Sequence, residues 1–98
     1  MIRRIVRMSF QEDKVNDFLK VFNKAKHHIR QMPGCSYLSL HRDNHQSHIY
    51  YTLSHWDDQA FLDNYRESEL FKSTWKATKQ LFNDKPQAYS LEMVDDLG

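Results

Sequence analysis

Three histidines, His41, His45 and His48, stand four and three residues apart, a spacing at which imidazoles could gather around a zinc ion. The segment that carries them reads as two strands joined by the polar connector Asp43-Asn44-His45-Gln46, which sets His41 and His48 on opposite strands with His45 at the tip. No cysteine or fixed carboxylate completes a zinc set there, so a solvated hairpin is the expectation and no metal is assigned. His41 is an acid-base candidate if its strand face turns toward a pocket. Arg7 sits in the first strand, where an arginine needs a carboxylate or an anionic ligand. Glu92 on the closing strand is the expected internal partner, with an anion site as the alternative. Four large aromatics, Tyr50, Trp56, Tyr65 and Trp75, either pack as core or wall a pocket.

The elements that must position these residues follow from periodicity. Ile2 to Phe10 carries Ile2, Val6, Met8 and Phe10 on one parity and Ile5 on the other, a strand with two unequal faces. From Glu12 to Met32 the positions Val15, Phe18, Leu19, Phe22, Ala25, Ile29 and Met32 form the apolar stripe of a helix, which Pro33-Gly34 ends. Cys35 to Arg42 and Ser47 to Trp56 alternate as the two strands of a hairpin. Asp57 is expected to cap a short helix holding Ala60, Phe61, Leu62 and Tyr65, and Ser68 to cap a second with Phe71, Trp75, Thr78, Leu81 and Phe82 facing inward. After Asn83-Asp84-Lys85-Pro86, Ala88 to Val94 alternates as a closing strand. The order is β-α-β-β-α-β with the second helix broken in two, a ferredoxin-like split βαβ plan. Right-handed crossovers put the helices on one face of a four-stranded antiparallel sheet, giving the α+β class.

Composition narrows the partners. The chain has 98 residues and reads as a single domain over 1–98, near the size where oligomerisation often supplements a modest core. Fourteen Lys and Arg against thirteen Asp and Glu leave a formal charge of +1, which points to neither nucleic acid nor an anionic membrane as partner. The lone Cys35 cannot form an internal disulfide and reads as a small buried residue, and Met1-Ile2-Arg3-Arg4 has no signal-peptide character. A cytoplasmic location is the expectation. The second and third strands carry large apolar or aromatic groups on both parities, and a monomer would leave one such row in water. A homodimer with two sheets face to face is therefore expected, forming a dimeric α+β barrel.

Met32-Pro33-Gly34-Cys35 at the helix-to-strand turn, Trp56-Asp57-Asp58-Gln59-Ala60-Phe61 at the strand-to-helix turn, and Ser68-Glu69-Leu70-Phe71-Lys72 opening the later helix occur in that order. With the elements between them they resemble the antibiotic biosynthesis monooxygenase domain family, whose members are dimeric α+β barrels. The resemblance implies a pocket between the sheet and the later helix. Trp56, Tyr65 and Trp75 would bound it, with Val6, Met8, Tyr50 and Thr52 as further lining.

The family includes oxygenases of aromatic substrates that use neither metal nor flavin, quinol oxygenases and haem-degrading enzymes. The haem-degrading branch looks most similar around Trp56 and Phe71-Lys72, and uses a first-strand asparagine, that tryptophan and an iron-ligating histidine on the later helix. Here the histidine position falls on Trp75 and the asparagine position near Val6 and Arg7, so no cofactor is expected. What the resemblance then implies is a cofactor-independent oxidation of a small aromatic or quinol-like compound. Such chemistry deprotonates a phenol or enol so that the anion can pass an electron to dioxygen, and needs a dry pocket, stacking walls and an acid-base group. Tyr65 and His41 are the catalytic candidates, and Trp56, Trp75, Tyr50 and Arg7 the substrate-binding ones. The alternative is a non-catalytic, ligand-binding or structural member of the same fold.

Overall fold

The computed structural model describes residues 1–98. Strands β1 (Ile2–Ser9), β2 (Cys35–Arg42), β3 (Ile49–Trp56) and β4 (Gln87–Leu91) and helices α1 (Val15–Arg30), α2 (Gln59–Glu67) and α3 (Glu69–Lys79) follow one another in the order β1-α1-β2-β3-α2-α3-β4. All pairings are antiparallel and the sheet order is β2-β3-β1-β4, the ferredoxin-like arrangement expected from the element order.

The side-chain period of two divides the sheet into a helix-covered face and a bare one. Val6, Met8, Tyr50, Ser54 and Trp56 lie under the helices. Ile5, Arg7, Tyr51, Leu53 and His55 lie on the other side. A bulge between Cys35 and Tyr37 keeps both faces in phase: Cys35 pairs with Trp56 and Tyr37 with His55, leaving Ser36 as the extra residue.

Helix α1 buries Phe18, Ala25 and Ile29. Its first predicted turn is instead a separate 3-10 turn over Glu12–Lys14, since Lys14 sits at φ −109°, ψ 0° and supplies no side-chain cap. After α1, Gly34 takes φ +81°, in the left-handed region. A Cβ there would also overlap the Phe61 ring, so the same glycine lets α2 approach the turn closely.

The α2 cap is Asp58, which accepts from the Phe61 amide, and not Asp57 as the sequence suggested. Asp57 donates its own amide to the Gly34 carbonyl at 2.8 Å, which keeps the chain extended for one more residue. Ser68 performs two jobs at the break between the helices. Its hydroxyl donates to the Tyr65 carbonyl at the end of α2 and accepts from the Phe71 amide at the start of α3, while its backbone stays extended at φ −74°, ψ 153°.

The core has two centres. Met8, Phe10, Phe18 and Tyr50 form one, and Cys35, Trp56 and Leu62 the other. Strand β4 is shorter than predicted because its pairing with β1 runs only from Arg7↔Gln87 to Arg3↔Leu91, so Met93 and Val94 lie beyond the sheet. That register also removes Glu92 as the partner of Arg7, since Glu92 falls past the opposite end of β1.

Candidate functional site

Between the two core centres lies a cavity of about 270 Å³, closed by the sheet on one side and by all three helices on the other. Helix α3 lines it with Phe71, Thr74, Trp75 and Thr78, the i, i+3, i+4, i+7 positions of one helical face. The phase of that face is set by the Ser68 cap. Helix α2 contributes Leu62, Tyr65 and Arg66 on the same spacing rule, and the sheet contributes alternate residues, Arg4, Val6 and Met8 from β1 and Thr52 and Ser54 from β3. Phe18, Phe22 and Ile29 of α1 close the far wall.

One flank of this cavity is a continuous run of aromatic rings. Trp56 stacks on Tyr65 with centroids 4.9 Å apart, Tyr65 meets Phe71 edge-on at 5.2 Å, and Phe71 lies nearly parallel to Trp75 at 5.9 Å. Trp56 is fully buried and donates its indole N–H to the Ser54 hydroxyl at 2.9 Å. It therefore supports Tyr65 from behind and has no surface on the cavity itself.

The sequence candidates fall into three groups. Tyr65 and Trp75, with Val6, Met8 and Thr52, line the cavity. Trp56 and Tyr50 belong to the core, Tyr50 packed against Phe10 and Phe18 at the other centre. Arg7 and His41 lie on the bare face of the sheet, where His41 is exposed and its Nε2 is 2.7 Å from the Ser39 hydroxyl. The hairpin histidines do not converge either: His48 faces Glu12 at 4.0 Å, and no three His, Cys, Asp or Glu side chains gather as a ligand set.

Two residues at the cavity were missed. Arg4 shares the parity of Val6 and Met8, and Arg66 follows Leu62 by four residues on α2, so the same periodicities contained them. With Tyr65 they are the only titratable groups in the lining, which contains no histidine, carboxylate, lysine or cysteine. Burial, with the nearby Cys35 second, pushes the Tyr65 phenol well above its usual range, so it stays protonated. Burial, with the charge of Arg66 second, lowers the Arg4 guanidinium from its ordinary value. Burial is also the main reason that the Cys35 thiol is raised.

A family model described as antibiotic biosynthesis monooxygenase matches residues 1–77, a span that holds β1 through α2 and most of α3. The chain belongs to the antibiotic biosynthesis monooxygenase family. Solved structures agree at the level of the fold. A crystal structure of an antibiotic biosynthesis monooxygenase is 18% identical, with a TM-score of 0.91 over 97% of this chain and 100% of that one. A conserved protein from Methanosarcina mazei is 18% identical, with a TM-score of 0.88 over 92% of this chain and 89% of its own. A protein from Pseudomonas aeruginosa is 20% identical, with a TM-score of 0.85 over 96% and 94%. No curated protein matches the chain in sequence. Nor is any of its helices long and apolar enough to cross a membrane. For this member of the antibiotic biosynthesis monooxygenase family, the cavity flanked by Tyr65, Phe71 and Trp75 is the candidate site.

Proposed function

We propose that this chain is a monooxygenase that oxidises a small aromatic or quinol-like compound with dioxygen and no bound cofactor. The observation that carries the reading is the cavity itself: about 270 Å³ of largely apolar space with Tyr65, Phe71 and Trp75 along one flank. Its size is close to the lower end of ligand pockets, roughly 300 Å³, which suits a small ring system. An electron-rich phenol or enol bound there as its anion passes one electron to dioxygen, and the two radicals combine to form a carbon–oxygen bond. Cleavage of the resulting peroxide leaves one oxygen atom on the carbon as a carbonyl and releases the other as water. The two hydrogens of that water come from the substrate, so the reaction balances without an external reductant.

In this scheme Trp75 and Phe71 stack on the substrate, Tyr65 donates a hydrogen bond to the developing peroxide, and Trp56 fixes the Tyr65 ring. The apolar walls exclude water from the radical pair. The protein works as a homodimer in which the bare sheet faces pack together, covering Ile5, Tyr37, Tyr51, Leu53, Tyr89 and Leu91. In support, Tyr37, Tyr89 and Leu91 are 42%, 53% and 46% exposed in the single chain, an apolar row that water disfavours. A second reading, ligand binding without chemistry, is favoured by one specific observation: the lining offers no histidine or carboxylate as general base. Oxygen uptake with a panel of quinols and polyphenols separates the two, with Trp75→Ala as the comparison. Uptake by the parent that the variant loses supports the oxygenase; no uptake with any compound supports the binding protein.

A further inference from the structure

The cavity is apolar along most of its wall, yet both of its charged lining groups carry the same sign. Arg4 enters from the sheet and Arg66 from the last turn of α2. No carboxylate lies within 4.0 Å of either guanidinium, the ion pairs of the chain being His48 with Glu12 and Lys72 with Glu67. Arg4 is half-buried and held in place by donating one N–H to the Ser90 hydroxyl at 3.0 Å, which leaves the rest of its five-donor fork free. Arg66 is exposed, which places this end of the cavity at the solvent boundary.

Two like charges brought together beside apolar walls raise each other's cost, and partial burial of one of them adds desolvation. The lowered proton affinity of Arg4 reports both effects, with burial the larger. A ligand with a single negative charge at this end would relieve them and would be met by guanidinium donors suited to an oxyanion. The missing general base then has a physical substitute. A pair of cations can lower the pKa of a bound phenol or enol so that its proton leaves to water at the open end, with no side chain needed to accept it.

We infer that Arg4 and Arg66 form an anion-binding end of the cavity, and that its ligand is an acidic phenol or enol held there as the anion. The inference rests on the proposed aromatic pocket and its anionic ligand, and adds the residues that hold the charge and the orientation that follows: ring against Phe71 and Trp75, oxyanion toward the two arginines.

The test uses the full chain and two probes that share one nitrophenyl ring, 4-nitrophenol, whose phenolate absorbs in the visible, and 4-nitroanisole, its methyl ether, which cannot ionise. Spectral titration should show the bound phenol ionising at least about one pH unit below the free probe, equivalent to about tenfold tighter binding of the phenolate. Arg66→Gln, at an exposed helix position, and Arg4→Gln should each reduce that shift while 4-nitroanisole binds as it does to the parent. Circular dichroism checks that both variants keep their fold. Binding of 4-nitroanisole with an unshifted phenol, or a full shift retained in both variants, would overturn the anion site and leave the aromatic pocket standing. Failure of both probes to bind would overturn the pocket and the anion site together.

Discussion

The Trp56 indole and the Tyr65 ring lie 4.9 Å apart and within 20° of parallel, with Trp56 wholly buried and Tyr65 between it and the cavity. The indole N–H is held by the Ser54 hydroxyl, so the stack cannot slide without breaking a buried hydrogen bond. Removing the back plate should therefore cost both stability and the shape of the cavity wall. Trp56→Ala is expected to destabilise the fold by about 3–5 kcal/mol, as for other buried aromatic truncations. Trp56→Phe should cost less, keeping part of the stack but leaving Ser54 without its donor. Guanidinium unfolding midpoints of the three proteins check the order.

Gly34 tests how closely the helix-to-strand turn and α2 are packed. Its φ of +81° strains any side chain, and a Cβ would overlap Phe61. Adding the left-handed penalty to overpacking predicts that Gly34→Ala costs roughly 2–4 kcal/mol. In the double variant with Phe61→Ala the overlap with the ring is gone, while the contact with the residue 61 Cβ at 2.5 Å and the backbone penalty remain, so the relief should be partial. A double-mutant cycle measured by equilibrium unfolding reads the difference directly.

The bare sheet face gives a prediction about assembly. Leu53 lies among Ile5, Tyr51 and His55 on that face, opposite Ile5 in β1 and Ser39 in β2. If two such faces pack together, Leu53→Glu buries two unpaired carboxylates across the contact and should weaken association by at least about a hundredfold. Sedimentation equilibrium should find the parent dimeric and the variant monomeric at the same micromolar concentration.

His55 should make stability sensitive to pH. It stacks on Tyr37 with centroids 4.6 Å apart, and burial, with the Arg3 charge second, lowers its pKa from the ordinary value of 6.5. A folded-state pKa below the unfolded one means that the unfolded chain takes up the proton first. Its contribution is therefore fully present above about pH 6.5 and is lost as pH falls toward the lower folded value. Unfolding midpoints should drop between pH 7.5 and 5 in the parent, and His55→Gln should drop less.

Much of this fold was legible because its signals are local. The i, i+3, i+4 stripe of α1, the alternation of the strands and the Ser68 cap each depend on residues a few positions apart, and each produced the expected element. Trp75 and Tyr65 were legible as cavity residues from the family resemblance. The misassigned features depend on contacts distant in sequence. Asp58 replaces Asp57 as the cap because Asp57 is tied to Gly34, 23 positions earlier by residue number. Arg7 and Glu92 are separated by the β1–β4 register, which alternation alone does not specify. Alternation in β1 did not single out Arg4, and only the placement of α2 over the sheet brings Arg66 to the same cavity.

The central claim is that the aromatic cavity carries out an oxygenation in which the substrate supplies the electrons. It is tested most directly by incubating the metal-free protein with a quinol or polyphenol under ¹⁸O-labelled dioxygen and weighing the product. The account predicts one labelled oxygen atom per product molecule, oxygen consumed one for one with substrate, and loss of both in Trp75→Ala. A product carrying no label, or turnover unchanged in that variant, would contradict it.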